Sequence, residues 1–101
     1  MARRIVWTQN ANLTLKDTLL YFRKRNGNNK YSRQLYDKFN EILLLVAQSP
    51  TIGGQTEIDN VRYIIPHPDY MIFYQYDTRK ITVLTLWDCR QDPNRLKTKN
   101  S

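Results

Sequence analysis

The sequence predicts an α+β domain of order β-α-α-β-β-β, in which one helical hairpin packs on one face of a small, mainly antiparallel sheet. Two amphipathic stretches lie in the first half, separated by the short Asn- and Gly-rich connection Asn26–Asn29. Three stretches rich in aromatic and β-branched residues follow, each bounded by turn residues. A shorter β-favouring stretch precedes the first helix. Neither an internal repeat nor a second domain is indicated.

The first two elements are a strand and a helix. Arg3–Trp7 favours a strand because Ile, Val and Trp suit strand geometry. Thr8 then offers a hydroxyl that can cap a helix. Gln9–Arg25 is predicted to be the first helix, since its apolar residues recur at helical spacing and its last residues are cations, which are favourable at a helix C-terminus. Gly27 supplies the left-handed exit.

The second helix is predicted for Asn29–Gln48, from an apolar stripe at i, i+4 and i+3 spacings formed by Tyr31, Leu35, Phe39, Ile42 and Val46. Ser49-Pro50 ends it, because proline cannot continue a helix. The short connection between the helices predicts an antiparallel hairpin. Thr51–Asn60 is expected to be a loop, with freedom supplied by Gly53-Gly54.

Three consecutive strands are predicted in the second half, at Val61–Ile65, Tyr70–Tyr76 and Ile81–Trp87. Pro66 and Pro68 are expected to end the first of them. The four polar residues Asp77–Lys80 fit a hairpin connection, which makes the last two strands antiparallel.

Length and charge narrow the class of protein. The 101 residues predict one domain, placed at 1–94, with a basic and frayed tail at 95–101. The chain carries 16 Lys and Arg against 9 Asp and Glu, a net charge of +7. Such a balance favours an acidic partner: nucleic acid, an acidic protein segment or an anionic membrane surface.

The cysteine count and the hydropathy predict a cytoplasmic protein. Cys89 is the single cysteine and cannot form an internal disulfide, which suits a reducing compartment. No apolar run approaches the roughly 20 residues that a membrane span needs. No long apolar stretch follows Arg3-Arg4, so no signal peptide is expected.

Standard catalytic signatures are missing from the sequence. No Gly-rich loop of phosphate-binding type occurs, and one His with one Cys cannot supply the usual ligands of a zinc site. Neither cofactor nor metal is therefore expected. His67 lies between two prolines and is expected to be an exposed loop residue rather than a member of a triad. Cys89 is interpreted as an incidental or packed thiol rather than a nucleophile.

Arg62 and Arg90 are the more informative residues. Alternation places Arg62 on one face of its strand. If no bulge interrupts the last strand, Arg90 shares a face with Thr82, Leu84, Leu86 and Asp88. The two guanidinium groups can then converge on one side of the sheet, near Tyr63 or Tyr74, where they could stabilise a phosphoryl group. The alternative is that Arg62 is solvated and Arg90 pairs with Asp88 or Asp92.

Taken in order, several short motifs resemble the RelE/ParE toxin superfamily of bacterial type II toxin–antitoxin systems. They are IVWT followed by Ala11, the helical hairpin, Leu45 and Pro50, Ile52-Gly53, Val61-Arg62, YMIFYQY (70–76) and LTLWDCRQDP (84–93). The match covers nearly the whole chain and depends on the order and spacing of the motifs. It implies a small basic toxin neutralised by a cognate acidic antitoxin, with which it forms a hetero-oligomer.

The superfamily divides by target. Its RelE-like branch consists of ribosome-dependent, metal-free ribonucleases that cut mRNA, and its ParE-like branch poisons DNA gyrase. Arg62 and Arg90 stand where the nuclease branch has basic residues in the first strand of the meander and after its last strand. Glu57 lies in a loop where some nucleases carry a catalytic Glu.

Other positions depart from the nuclease pattern. Ile64 and Met71 stand where nucleases often carry Lys and Arg, and Asp88 lies about where many relatives have His. The resemblance therefore favours the ParE-like branch and gyrase as the target. The alternative is a RelE-like mRNA endonuclease that uses Arg62, Arg90, Tyr74 and Glu57. A third alternative is a nucleic-acid-binding domain without toxicity, whose tyrosines stack on bases.

Overall fold

A computed structural model describes residues 3–90. In chain order the elements are β1 Arg4–Trp7, α1 Gln9–Asn26, α2 Lys30–Gln48, a 3-10 turn Pro50–Ile52, β2 Gly54–Gln55, β3 Arg62–His67, β4 Tyr70–Tyr76 and β5 Lys80–Asp88. The predicted α+β class is confirmed. The expected domain end at 94 and the expected tail at 95–101 lie outside the described residues.

The strands form one mixed sheet of order β1-β5-β4-β3-β2. β1 is parallel to β5, and the other neighbours are antiparallel. Both helices pack on the same face, where their apolar sides meet the central strands. Phe39 and Leu43 of α2, Ile72 of β4, and Ile81 and Val83 of β5 are completely buried in this core.

Local signals at the ends of α1 act as the sequence predicted. The Thr8 hydroxyl accepts a hydrogen bond from the Ala11 amide at 3.2 Å, which satisfies one of the unpaired donors of the first turn. The same hydroxyl donates to the Leu84 carbonyl at 3.1 Å and so ties the helix start to β5. Gly27 ends the helix at φ 72°, a left-handed conformation that favours glycine.

Two boundaries differ from the prediction. Pro66 does not end the first strand of the meander, since β3 continues to His67 through an irregular register between Ile64 and His67. Such an irregularity accommodates a residue that cannot donate to the ladder. Part of the expected loop Thr51–Asn60 is ordered as the 3-10 turn and as β2, a two-residue strand at the sheet edge.

A β-bulge in β5 decides which side chains face the helices. Phe73 pairs with Thr85, but the next residue of β4, Tyr74, pairs with Val83. The extra residue, Leu84, reverses the alternation, so Val83 before the bulge and Leu86 after it are both buried. The shared face expected from Thr82 to Arg90 required an unbulged strand and is not formed.

Within residues 3–90, none of the helices has the length and hydropathy needed to cross a bilayer.

Candidate functional site

Arg62 and Tyr74 meet around Gly53, at the edge of the sheet that carries β2. Arg62 pairs with Tyr74 across β3 and β4. Its Nη1 atom donates to the carbonyls of Gly53 at 2.8 Å and Thr51 at 3.3 Å. The buried Tyr74 hydroxyl donates to the Pro50 carbonyl at 2.6 Å and accepts from the Gly53 amide at 3.2 Å. We call this arrangement the Gly53 anchor.

The hydrogen bonds of the Gly53 anchor have a structural role. Burial raises the pKa of the Tyr74 phenol, against a smaller lowering by the Gly53 amide and by Arg62. The hydroxyl already donates one hydrogen bond and accepts another, and its side chain is fully buried. Arg62 is partly buried with its guanidinium directed at backbone carbonyls. The two residues therefore fix the segment between α2 and β3 instead of presenting acid and cation to a substrate.

Arg90 lies at the other end of β4. Its Nε and Nη2 atoms donate to the two carboxylate oxygens of Asp88 at 3.0 and 2.9 Å. Nη2 also donates to the Tyr70 hydroxyl at 3.1 Å, and the guanidinium lies 6.0 Å from the centre of the Phe22 ring. We call Phe22, Tyr70, Asp88 and Arg90 the Arg90 cluster. The expected alternative for Arg90, pairing with Asp88, is the arrangement found.

Hydrogen bonding and burial set the proton affinities in the Arg90 cluster. The side-chain hydrogen bond from Arg90 lowers the pKa of Asp88 and raises the pKa of Arg90 itself. Burial raises the pKa of Tyr70 to about 12, although the Arg90 charge opposes this. At neutral pH the cluster therefore contains a protonated phenol and a bidentate ion pair between Arg90 and Asp88.

Substitution of Arg90 tests the ion pair. Arg90→Gln is expected to raise the pKa of Asp88 towards its ordinary 3.8, as followed by NMR titration of the carboxyl carbon. Because the folded pKa is lowered, the pair stabilises the protein above the unfolded pKa of about 3.9, and this contribution is lost as the pH falls through the folded value. The difference in unfolding free energy between wild type and Arg90→Gln should accordingly shrink below pH ~4.

Arg79→Gln is the matched control for that titration. The pKa of Asp77 is lowered chiefly by backbone amides of Arg79 and Lys80, which a side-chain change at 79 leaves in place. The Asp77 midpoint should stay low in this variant. An Asp88 midpoint that does not move in Arg90→Gln would contradict the bidentate pair.

The structure does not bring Arg62 and Arg90 together. Arg62 pairs with Tyr74, and Asp88 pairs with Tyr70. Tyr70 and Tyr74 are four positions apart on β4, or about 13 Å at ~3.3 Å per residue. Glu57 lies exposed in the loop between β2 and β3. Of the four candidate catalytic residues, only Arg62 and Tyr74 are in one place.

His67 was expected to be an exposed loop residue, and this prediction is wrong. It ends β3, and its side chain is 20% exposed. Nδ1 accepts from the Asp69 amide at 3.1 Å, Nε2 lies 3.5 Å from the Tyr31 hydroxyl, and the ring packs beside Tyr70. His67 pairs with Tyr70 across the β3–β4 turn, a contact that the sequence does not indicate because the flanking prolines are typical strand breakers.

A groove adjoins the Arg90 cluster and separates α1 from the end of β5. It encloses about 750 Å³, with Thr14, Thr18 and Tyr21 on the α1 side and Thr85 and Trp87 on the β5 side. We call it the α1–β5 groove. Both Arg90 and Asp88 line its end. Sequence patterns did not indicate it, because its lining residues on α1 and β5 are distant in the sequence.

A group of exposed cations lies at the tip of the helical hairpin. The end of α1 and the start of α2 carry exposed cations on both sides of Gly27, namely Arg23, Lys24, Arg25, Lys30 and Arg33. We call them the cationic tip.

Among the described residues, no three His, Cys, Asp or Glu side chains are grouped so that they could hold a metal ion.

Comparison with known protein families assigns the chain to one of them. The model of the ParE toxin of the type II toxin-antitoxin system parDE matches residues 5–93. The chain belongs to the ParE toxin family. The resemblance to the RelE/ParE superfamily, based on the order of short motifs, is therefore confirmed.

Solved structures share the fold of this ParE family member. A chain of the chromosomal ParDE toxin–antitoxin system from P. aeruginosa has a TM-score of 0.67 at 14% identity, with 86% of this chain and 96% of that one covered. For the YoeB dimer from Staphylococcus aureus the TM-score is 0.62 at 14% identity, with 84% and 94% covered. For the E. coli DinJ-YafQ toxin–antitoxin complex it is 0.53 at 9% identity, with 87% and 93% covered. At these identities the likeness shows the fold alone. No curated protein matches the chain.

Proposed function

We propose that this ParE-family chain is a cytoplasmic growth-inhibiting toxin that acts by contact with DNA gyrase and is neutralised by a cognate acidic antitoxin. The observation that carries the choice of target is the dispersal of the candidate nuclease residues. Arg62 and Tyr74 serve the Gly53 anchor, Arg90 is paired with Asp88 some 13 Å along β4 by the ~3.3 Å rise of a strand, and Glu57 lies in a separate loop.

Metal-free RNA cleavage requires three functions in one place. A base must activate the ribose 2′-hydroxyl, cations must stabilise the phosphorane, and an acid must protonate the leaving oxygen. Tyr74 is the candidate acid, but its buried hydroxyl is held by Pro50 and Gly53. The Arg90 charge is offset by Asp88, and Arg62 is directed at carbonyls. This arrangement supports action through protein contact over RNA chemistry.

The positive net charge and the membership of the ParE family both support an acidic antitoxin as the partner of this chain. The net charge of +7 and the exposed cationic tip favour association with an acidic protein, and long-range attraction accelerates such association. The ParDE system from P. aeruginosa and the DinJ-YafQ complex from E. coli are named as toxin–antitoxin assemblies. We infer that this chain also forms a hetero-oligomer with an acidic protein encoded beside its gene.

Expression under an inducible promoter, with purified components in parallel, tests the proposal. Induction should stop growth and raise the SOS response, and co-expression of the adjacent acidic reading frame should restore growth. The purified chain should inhibit supercoiling by gyrase or trap cleaved DNA, while ribosome-programmed mRNA stays intact.

Arg62→Lys is the informative variant for this assay. Lysine keeps the charge but cannot reproduce the forked donor geometry, so the Gly53 anchor weakens while a cation remains near β3. A gyrase poison should retain growth inhibition in proportion to its folded amount. Cleavage of mRNA by the wild type without any effect on gyrase would overturn the proposed target, and an absence of growth arrest would overturn the toxin itself.

A further inference from the structure

The cationic tip carries its positive charges without counter-charges of its own. Residues 18–36 contain five Lys and Arg and no Asp or Glu. All five side chains are exposed, and within residues 3–90 none of them forms an ion pair with a carboxylate. The field of these charges is therefore available to a ligand that carries several negative charges.

Two of these cations are placed against the electrostatics of the fold. Lys30 and Arg33 lie in the first turn of α2, where the positive end of the helix dipole disfavours a cation. That turn has no acidic residue to compensate, and the side chain of Asn29 before it makes no capping hydrogen bond. The three cations at the end of α1 are favourable at a helix C-terminus, so the helix itself accounts for them. Stability does not account for Lys30 and Arg33, and a local conflict of this kind is typical of a functional site.

The turn between the helices holds the cationic tip in one shape and leaves it open. The Asn28 side-chain oxygen accepts a hydrogen bond from the Lys30 amide at 2.9 Å. The rings of Phe22 and Tyr31 meet edge to face, with their centres 4.7 Å apart, and so hold the two helix ends together. Among the described residues beyond its chain neighbours, no atom lies within 4 Å of where a Cβ atom of Gly27 would be. A ligand can therefore approach the backbone of the turn directly.

The residue types at the cationic tip favour a nucleic acid over a protein as the partner in direct contact with it. The segment Arg23–Lys30 is exposed throughout and contains no apolar side chain. Stable protein interfaces bury an apolar or aromatic centre and are depleted in lysine. Contacts to a nucleic acid backbone come from Arg, Lys and Asn side chains and from backbone amides, which are the groups present here. The tip can attract an acidic protein from a distance, but it offers that protein no surface to bury.

We propose that the cationic tip binds the phosphate backbone of duplex DNA, independently of base sequence. Duplex DNA carries one negative charge per ~1.7 Å of its axis, and packed helix axes lie about 8–10 Å apart, so the hairpin tip spans several phosphates. The choice of DNA over RNA rests on the proposed function, because gyrase acts on DNA. A toxin held by gyrase meets the DNA of the same complex at high effective concentration, so a weak contact at the tip is sufficient.

Titration of the purified chain, without gyrase, with duplex DNA and with duplex RNA of the same length and sequence tests the contact. Affinity for the DNA should fall as the salt concentration rises, because phosphate contacts release counterions. The double variant Lys30→Gln/Arg33→Gln removes two phosphate contacts, so the slope of log K against log salt should decrease in magnitude by about 2. Its affinity for DNA at low salt should be about tenfold weaker than that of the wild type.

The double variant Arg4→Gln/Arg79→Gln is the matched control, since it lowers the net charge equally at the other end of the sheet. Arg79 lies in the β4–β5 turn, whereas the tip lies near the β3–β4 turn, where the Tyr31 hydroxyl is 3.5 Å from His67. The length of β4 separates the two turns by about 20 Å, beyond the Debye length of about 10 Å at 0.1 M salt. The control should therefore bind DNA within about threefold of the wild type.

Neither double variant is expected to unfold the chain. Removal of Lys30 and Arg33 relieves the conflict with the helix dipole, and removal of Arg4 relieves its like charge directly opposite Lys80 in the sheet. Thermal unfolding should show a midpoint for each variant that equals or exceeds that of the wild type. Loss of DNA binding then reflects the lost contacts and not a lost fold.

Four results would overturn the inference: no binding of wild type to DNA at low salt, equal weakening in the two double variants, tighter binding to RNA than to DNA, or a Lys30→Gln/Arg33→Gln chain that keeps its affinity for DNA but loses it for the acidic antitoxin. The last of these would assign the tip to the protein partner. The gyrase assay with the same proteins separates this inference from the proposed function. A chain that binds DNA through the tip without acting on gyrase overturns only the proposed target, whereas one that acts on gyrase without binding DNA overturns only the contact at the tip.

Discussion

Gly53→Ala is expected to lower the free energy of unfolding by about 3–4 kcal/mol, the sum of overpacking and of a disturbed buried hydrogen bond. Gly53 has ordinary extended backbone angles, φ −72° and ψ 159°, so the cost is steric. A Cβ atom at this position would overlap the Tyr74 hydroxyl and lie 2.7 Å from the Tyr63 carbonyl oxygen. Neither neighbour can retreat, since one is fully buried and the other belongs to the backbone of β3.

Chemical denaturation with urea measures this loss, and Gly54→Ala provides the adjacent control. A Cβ atom on Gly54 meets the end of the Tyr63 ring, which is only half-buried and can rotate away. The control should lose about 1 kcal/mol or less, well under the loss expected for Gly53→Ala. Equal losses at 53 and 54 would show that the Gly53 anchor does not hold Tyr74 in the way described.

Glycine at 53 illustrates what sequence patterns convey and what they omit. The pair Gly53-Gly54 predicted a free loop, because adjacent glycines usually supply conformational freedom. In the structure Gly53 is needed for close approach and not for freedom. The information that decides this lies in Arg62 and Tyr74, which are distant in sequence and meet at Gly53 only after β3 and β4 pair.

Element type was predictable wherever the signal was local. The Thr8 cap, the left-handed Gly27 exit and the apolar run Tyr70–Tyr76 each depend on neighbouring residues, and all three features form as predicted. The bulge at Leu84 has no comparable local signal, since it arises from the register between two strands. That single residue reverses the face of the second half of β5. The expected convergence of the two arginines fails for a different reason, because Arg62 pairs with Tyr74 and Asp88 pairs with Tyr70, four positions apart on β4.

The Arg90 cluster could be predicted only in part. Pairing of Arg90 with Asp88 follows from their spacing, and it was considered as an alternative. The participation of Tyr70, Phe22 and His67 requires that α1, the β3–β4 turn and the end of β5 meet in space. Long-range packing of this kind is not encoded in any short pattern, which also explains why the α1–β5 groove was not foreseen.

Tyr74→Phe is expected to lower the free energy of unfolding by about 2–3 kcal/mol, because it leaves two buried backbone groups without partners. The phenol donates to the Pro50 carbonyl and accepts from the Gly53 amide, and both residues are buried, so bulk solvent does not replace the lost bonds. Thermal unfolding should show a decrease of roughly 10–20 °C for a domain of this size. Tyr70→Phe is the matched control, since Arg90 keeps both hydrogen bonds to Asp88 when the Tyr70 hydroxyl is removed.

The same variant separates the structural from the catalytic role of Tyr74. If the phenol only supports the Gly53 anchor, growth inhibition by Tyr74→Phe should equal that of the wild type once the amounts of folded protein are matched at low temperature. A general acid contributes about 10²–10⁴-fold to a rate, so its removal would abolish toxicity in a correctly folded protein. A stable Tyr74→Phe protein that no longer inhibits growth would therefore restore the nuclease mechanism, whereas an unstable protein with full toxicity per folded molecule agrees with action by protein contact.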